Sequence, residues 1–522
     1  MAESAAVPQP EAEGDIPPPA TKFLIMASLM TAMFMSTIDS TIANVALPHM
    51  QGSLSAGQDQ ITWILTSYIL AQLLATPMVA WLADRIGRKT LMLISVGGFT
   101  ASSVACGMAM NLEQMVLFRL LQGVFCAPLM PITQAIMFDI NTGEDRLKAT
   151  AIFGMGVMAG PVLGPILGGW ITDSWDWRWC FLINLPFGIL AFIGLWMSLP
   201  HRKITERKPF DIMGFSFLAV FLASLQMILD RGPSQDWFSS KEIMLYAALS
   251  TIGLYLFIVH TMTAKKPFFD PIILRDRNFL IGISIGFLFS ALVFSSTALV
   301  PAFLQGVLRL PAYDAGLVTA PRGLGMVIAM GLTASVSGRF GNSTLIASGF
   351  IANAFVMYVF STLTLDTDTA PIAFWGFVVG FFTGFVFVSM TNITFMTVPA
   401  HLRTEAASVY TLIRSLGMAI GISGMQGLLV HNMQVNHSTL SEGARIDNPI
   451  FSSIPMFNLA TELGRAVFDG EVARQAMMIA YIDDFRLSVF LSLAALPLLL
   501  FLRDKKQPQA AAREERVEVH YD

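Results

Sequence analysis

Residues 23–46 read FLIMASLMTAMFMSTIDSTIANVA, twenty-four residues with a single charge, Asp39. A bilayer core of about 30 Å takes about 20 apolar residues of helix. This stretch is therefore long enough to cross, with its acid inside. Outward from it the pattern recurs: apolar runs fall at 61–82, 91–110, 113–137, 149–172, 180–199, 212–229, 242–261, 279–304, 313–336, 344–363, 371–398, 407–430 and 485–502. That is about fourteen spans. The 522-residue chain is 54% hydrophobic and only 13% charged, against about 25% charged in soluble domains. A soluble enzyme with one anchor is excluded, because a large polar domain would restore the average. A β-barrel is excluded because barrel strands alternate polar and apolar in pieces of about 10 residues. The expected fold class is an all-α polytopic membrane protein.

Orientation follows from the loops. An even span count puts both termini on one side, whose loops and tails hold 21 Lys and Arg. The short loops opposite hold four, Arg178, Arg231, Lys241 and Arg309. The basic side is the cytoplasmic one, so both termini are expected there. Residues 1–22, rich in Pro, Ala and Glu, read as a disordered cytoplasmic tail; without a basic n-region they are no secretory signal. Residues 503–522 read as a second tail.

A weak repeat divides the chain. Asp84-Arg85-Ile86-Gly87-Arg88-Lys89 follows the second span, and Ser337-Gly338-Arg339-Phe340-Gly341-Asn342, a worn copy, follows the tenth. The expected organisation is a six-helix bundle over 23–199, an inserted helix pair within 200–278, and a second six-helix bundle over 279–502. Two related bundles around a midplane cavity is a transporter plan. The long outer loop at 431–484 has no long apolar run. Asp469-Gly470-Glu471 followed by Val472–Ile482 reads there as a capped amphipathic helix, either a flexible insertion or a contact for a partner.

The residues that carry chemistry are few. Asp39 is the one carboxylate placed deep in a span, where an acid is costly unless paired, protonated or facing water. Arg119 matches it in depth: at 1.5 Å per residue the two lie about 10 and about 9 Å from the outer ends of their spans. A guanidinium that stays charged can hold the acid ionised when near and release it when far, which would couple protonation to conformation. Arg322 and Arg414 also fall inside spans, as cavity groups or as interhelical ties. Asn44, Gln72, Gln122 and Asn392 are candidate cavity residues or helix-to-helix bonds. In the fifth span Gly156, Gly160, Gly164 and Gly168 stack on one face, with Pro161 and Pro165 a turn apart. That pattern is either tight packing or a hinge between bundles. In the loop after the second span, Gly87 allows a turn, while Asp84, Arg85, Arg88 and Lys89 supply gating contacts and topology.

Several function classes drop out. The net charge of −4 argues against nucleic acid. Cys106, Cys126 and Cys180 lie in apolar runs and read as small hydrophobes, with no metal site. No phosphate-binding loop exists for driving transport with ATP. No Ser–His pairing or His cluster stands in a span, so an enzyme is not expected.

These residues carry a resemblance. Asp39-Ser40-Thr41-Ile42-Ala43-Asn44-Val45-Ala46-Leu47-Pro48 resembles the first-span motif of the fourteen-span drug/proton antiporters of the major facilitator superfamily. Asp84–Lys89 resembles the superfamily's loop motif, with Ala80 where a glycine usually opens it. Arg119-Leu120-Leu121-Gln122-Gly123 is similar to the fourth-span motif, and Gly156 to Gly169 to the antiporter motif. Trp177-Arg178-Trp179-Cys180-Phe181-Leu182-Ile183-Asn184-Leu185-Pro186-Phe187-Gly188 resembles the hallmark of the EmrB/QacA subfamily. Leu229-Asp230-Arg231-Gly232, Asp236-Trp237-Phe238-Ser239-Ser240 and the long last outer loop look closest to its EmrB branch. The likeness runs from about residue 23 to 502.

The resemblance implies the major facilitator fold, with two six-helix bundles plus two central inserted helices. It implies proton-driven export of lipophilic toxic compounds across the bacterial inner membrane, with no cofactor and with Asp39 and Arg119 in the coupling roles. It implies an EmrA-like periplasmic adaptor and a TolC-type outer-membrane channel as partners in a tripartite pump. The tenth span offers Pro321, Arg322 and Gly323 rather than an extra acid. One deep acid among several arginines disfavours dications, so neutral or weakly acidic substrates are expected. The competing readings are an exporter of one endogenous metabolite (a lipid, siderophore or antibiotic-like compound) and a non-transporting membrane sensor.

Overall fold

The computed structural model describes residues 17–141, 144–200, 209–233, 235, 237–264, 267–269, 271–399, 402–442 and 461–501. The expected tail at 503–522 and most of that at 1–22 lie outside these residues; the first helix already begins at Pro19.

Every apolar run becomes a helix. The first six are α1 (Pro19–Ser53), α2 (Trp63–Ile86), α3 (Arg88–Gly107), α4 (Leu112–Ile140), α5 (Glu144–Ser174) and α6 (Trp179–Ser198). Then come α7 (Ile212–Arg231) and α8 (Lys241–Thr263). The last six are α9 (Arg277–Gly306), α10 (Ala312–Phe340), α11 (Asn342–Phe360), α12 (Thr369–Phe395), α13 (Arg403–Ser441) and α14 (Glu462–Leu499). Among the described residues, 12 helices are long and apolar enough to cross a membrane. The other two, α5 and α14, are 31 and 38 residues long. The architecture is compatible with fourteen spans.

The first six helices and the last six pack in the same pattern. In one set α1 lies on α5, α2 on α4, and α3 on α6; in the other α9 lies on α13, α10 on α12, and α11 on α14. The worn loop copy is structural too. Gly87 and Gly341 each join two consecutive helices with φ of +84° and +75°. A side chain is strained there, so the turn survives in both halves even where its charges do not. Helices α7 and α8 pack on each other, and α7 also touches α2 and α13 across the seam between the sets.

Below, "near" means the end at which α1 begins. In the near half one apolar core runs through both sets, from Phe99, Phe138 and Phe153 to Phe279, Phe387 and Phe395. In the far half each set keeps its own cluster, around Ile42, Ile64 and Phe181 in the first and Phe303, Phe360 and Phe485 in the second. The two sets share one core at the near end. At the far end their apolar clusters are distinct, while α5 and α10 still touch at Ile166 and Gly316. There α7 also bonds to both sets: Asp230 accepts from Thr66, and the Leu229 carbonyl from Ser423.

The far loop differs from its sequence reading. Helix α13 continues to Ser441, and α14 starts at Glu462, capped by Thr461, whose hydroxyl accepts from the Gly464 amide at 3.0 Å. Asp469 lies inside this helix and caps nothing. Residues 472–482 are part of the last long helix rather than a separate one. An apolar run marks only the part of a helix that meets lipid, so helices that extend past the bilayer look like loops in a hydropathy reading.

Candidate functional site

Helix α1 has two chemically different faces. Thr37 and Thr41 donate to the Gly156 and Gly160 carbonyls of α5 at 3.2 and 2.9 Å. Asp39 stands two residues from each, about 200° around the helix, and so points away from α5. There it meets α4 and α6. Arg119 Nη1 donates to Asp39 Oδ2 at 2.7 Å, Gln122 Nε2 to Oδ1 at 2.9 Å, and Asn184 Nδ2 to Oδ1 at 2.8 Å. Arg119 Nη1 also reaches Gln122 Oε1 at 2.8 Å, and its Nε reaches the Ile64 carbonyl of α2 at 3.3 Å. The guanidinium lies over the Tyr68 ring, 4.1 Å from its centroid. Asp39 and Arg119 are both 0% exposed. Four helices therefore converge on one ion pair that nothing in solution touches.

The structure brings Asp39 and Arg119, which the sequence matches in depth, together with Gln122. It adds Asn184, Ser103 and Tyr68. Asn184 sits one turn into α6 and is held in turn by Ser103 Oγ at 2.9 Å. A lone amide in an apolar run was the available signal. Asn44 is exposed, and Gln72 and Asn392 are half-buried; none of the three joins this network. Asp484 on α14 is only 1% exposed, and its Oδ2 has no hydrogen-bond partner. It is a second buried acid, one residue before the apolar run at 485–502.

The glycine stripe of α5 faces α1 of its own set. A Cβ at Gly160 would stand 2.1 Å from the Thr37 carbonyl, and one at Gly164 1.9 Å from Thr41 Oγ1. Gly156 and Gly168 line the same contact. The stripe thus packs tightly on α1 of its own set, while α5 also meets α10 of the other set. The side chains of Pro161 and Pro165 lie outside the described residues. The device recurs: a Cβ at Gly417 on α13 would stand 2.3 Å from the Phe287 carbonyl of α9, and one at Gly421 2.5 Å from Ala291.

At the near end the loop charges do more than set topology. Arg88 and Arg403 both pair with Asp139 of α4, Arg403 at 3.0 Å, so one carboxylate ties the first set to the second. Arg146 donates to the Phe395 carbonyl at 3.1 Å and lies over Phe138, which packs on Phe395. Burial and the Arg403 guanidinium push Arg146 down to about 10. Lys89 donates to the Trp196 and Leu199 carbonyls at 2.8 and 2.5 Å, closing the end of α6. Arg85 stacks on Trp81, and Asp84 is exposed. Asp139, which makes the bridge, was not singled out from sequence because its partners are 51 and 264 residues away.

The second set holds Arg322 and Arg414. Arg322 Nη2 donates to Ser296 Oγ of α9 at 2.8 Å and to the Val293 carbonyl at 3.3 Å. Arg414 Nε donates to Ser290 Oγ at 3.3 Å, and its guanidinium lies 5.0 Å from the Phe387 centroid. Neither pairs with an acid among the described residues.

Known proteins give this geometry a family. Residues 29–422 match the model of the Major Facilitator Superfamily. The chain is 35% identical over 426 residues to the fatty acid resistance protein FarB of Neisseria gonorrhoeae, covering 80% of this chain and 83% of that one. It is 31% identical over 486 residues to the multidrug export protein EmrB of Escherichia coli K12, covering 92% and 95%. Its fold is similar to that of the human organic anion transporter MFSD10, at TM-score 0.59 and 15% identity, covering 91% of this chain and 100% of that one. The chain belongs to the major facilitator superfamily, among the relatives of the EmrB export proteins, and is a multi-pass membrane transporter rather than an enzyme.

Proposed function

We propose that the chain is a proton-coupled antiporter that exports lipophilic toxic compounds across the bacterial inner membrane, with both termini in the cytoplasm. The observation that carries this reading is the sealed Asp39–Arg119 pair. Removing the charge of one partner leaves the other buried without compensation, which costs about 3–5 kcal/mol. Protonation of Asp39 is such a removal, so proton occupancy and the packing of α1, α4 and α6 are linked.

The near end is closed by the Asp139 bridge and by the Phe138–Phe395 contact. With the near end cytoplasmic, these contacts bar access from the cytoplasm. As substrate leaves, the helices that enclose the pair part and a proton from the periplasm reaches the Asp39 carboxylate. Arg119 loses its counter-charge, and the set relaxes toward the inward state, which requires the Asp139 bridge to part. On the cytoplasmic side the proton is released and the pair re-forms.

Export by a relative named for multidrug export supports the substrate class. The resemblance of the motifs to the EmrB branch extends the reading to the inner-membrane component of a tripartite pump, with an EmrA-like periplasmic adaptor and a TolC-type outer-membrane channel. The test is drug-driven proton flux in proteoliposomes. Asp39→Asn abolishes the flux and keeps drug binding; undiminished exchange in that variant overturns the coupling role.

A further inference from the structure

We propose that Asp484 is a second proton-binding carboxyl group, held in the second set, and that it carries its proton in the state in which Asp39 carries none. The proposal rests on the exporter reading above and adds a residue through which the second set answers to pH.

Asp484 is 1% exposed, and its Oδ2 has no hydrogen-bond partner. The base nearest to it in sequence does not serve it: Arg486 is exposed and pairs with Asp483 at 3.6 Å. Tyr481 and Phe485, which flank Asp484 on α14, both pack on Phe303 of α9, and Phe485 also packs on Phe360 of α11. The acid therefore sits on an aromatic face of its helix. The charges of the three helices that pack on α14 lie elsewhere. On α9 the only charged residue is Arg277, at the near end; α11 has none, and its Tyr358 is exposed. On α13, His437 bonds to Asp469 of α14 at 3.1 Å, a register that in antiparallel packing sets Ile422 level with Asp484. Arg414 and His431 are then about 12 and about 14 Å away along the helix, and Arg403, Glu405 and Tyr410 are farther still. On α14 itself the titratable neighbours are Tyr481 and Asp483, a like charge.

An ionised carboxylate is strongly disfavoured when buried without a partner, whereas the protonated group is neutral. The packed second set thus favours a proton on Asp484. Asp39 is the opposite case: Arg119, Gln122 and Asn184 all donate to it, which favours the ionised form. One and the same state therefore empties the first acid and loads the second. The proton on Asp484 has a short way out. Phe360 is the last residue of α11, and it packs on the residue next to Asp484, so the acid lies close to the far end of the set. A shift of α14 off α9 and α11 brings water to the carboxyl group, and release of the proton to that water leaves a charge that opposes repacking. Farther in, Ser488 and Ser492 follow at one-turn intervals, both buried. Asn353 of α11 donates to Ser492 Oγ at 2.8 Å, while its own Oδ1 has no partner. The contact between α11 and α14 thus contains hydrogen-bonding groups that can rearrange when the charge appears.

The experiment reads the carboxyl group directly. Infrared spectra of the purified full-length chain in detergent are recorded at neutral pH and through an alkaline titration. The wild type is expected to show the carbonyl band of a buried protonated carboxyl group at neutral pH and to lose it as the pH rises. Asp484→Asn is expected to lack that band, and Asp39→Asn to keep it. Asp484→Glu is expected to move the band and keep its titration, a check that does not depend on the Asn variant folding. Proton flux driven by an uncharged lipophile, Nile red, is measured in proteoliposomes against external pH. Asp484→Asn is expected to shift the alkaline limb of that profile. A band unchanged in both Asp484 variants overturns the proposal. A band that belongs to Asp484 but never titrates, with the same flux profile in Asp484→Asn as in the wild type, makes the group a fixed packing element and overturns it as well. A titrating Asp484 band in a wild type that shows no lipophile-driven proton flux overturns the antiporter reading and leaves the second proton site standing.

Discussion

The two six-helix sets share a scaffold and differ in what they do with charge. In both, a small-residue stripe lets the fifth helix of the set lie directly on the first: Gly160 and Gly164 on Thr37 and Thr41, and Gly417 and Gly421 on Phe287 and Ala291. Aligned on those contacts, the position of Asp39 in the first set is Phe289 in the second, an apolar residue 3% exposed. The first set buries an acid and a base that neutralise each other. The second buries two bases, Arg322 and Arg414, and one acid, Asp484, and none of the three is in an ion pair among the described residues. Backbone packing was thus kept while the buried chemistry diverged.

The largest effect expected from breaking this contrast is at Arg119. Arg119→Gln strands the Asp39 charge, and unfolding in detergent should show a loss of about 3–5 kcal/mol. The shared packing comes next. Gly164→Val and Gly421→Val should each destabilise by about 1–3 kcal/mol through overpacking, read as loss of monodisperse protein. Gly169→Ala, with nothing within 4 Å of the new methyl, should be neutral. If only one of the two valine variants is harmful, the sets do not share the device. Third is the tie between the sets. Asp139→Asn weakens the bridge to Arg88 and Arg403 by about 1.5 kcal/mol, discounted because both guanidiniums are partly exposed. Spin labels at the near ends of α4 and α13 should report a wider separation. The smallest effect is the sharpest discriminator: Arg414→Met removes a cation that has no acid, so stability should change by less than about 1 kcal/mol. A loss as large as that of Arg119→Gln would mean that Arg414 is a structural tie.

The apolar runs were legible as helices because lipid imposes the same requirement on every residue that faces it: a span must be apolar and must satisfy its own backbone. The motif residues Asp39, Arg119 and Gln122 were legible for the converse reason, since charge and amide groups are rare in such runs. The extensions of α13 to Ser441 and of α14 back to Glu462 were not, because helix outside the bilayer carries no apolar mark. Asp139 was hidden among ordinary loop charges, and Asp484 looked like a boundary residue until α9, α11 and α13 closed around its helix.

By itself, then, the sequence determined a polytopic helical membrane protein, its repeat, and the one acid and base most costly to bury. Hydropathy, glycine spacing and charge scarcity are local properties, and they act before any helix meets another. Only the tertiary structure decided that Asn184 and Ser103 complete the Asp39 network, that the glycine stripe faces α1, that Asp139 ties the two sets, and that Arg322 and Arg414 have no acid partner among the described residues. Each of these depends on which helix faces meet across tens or hundreds of residues, and that is a property of the packed assembly rather than of any stretch of chain.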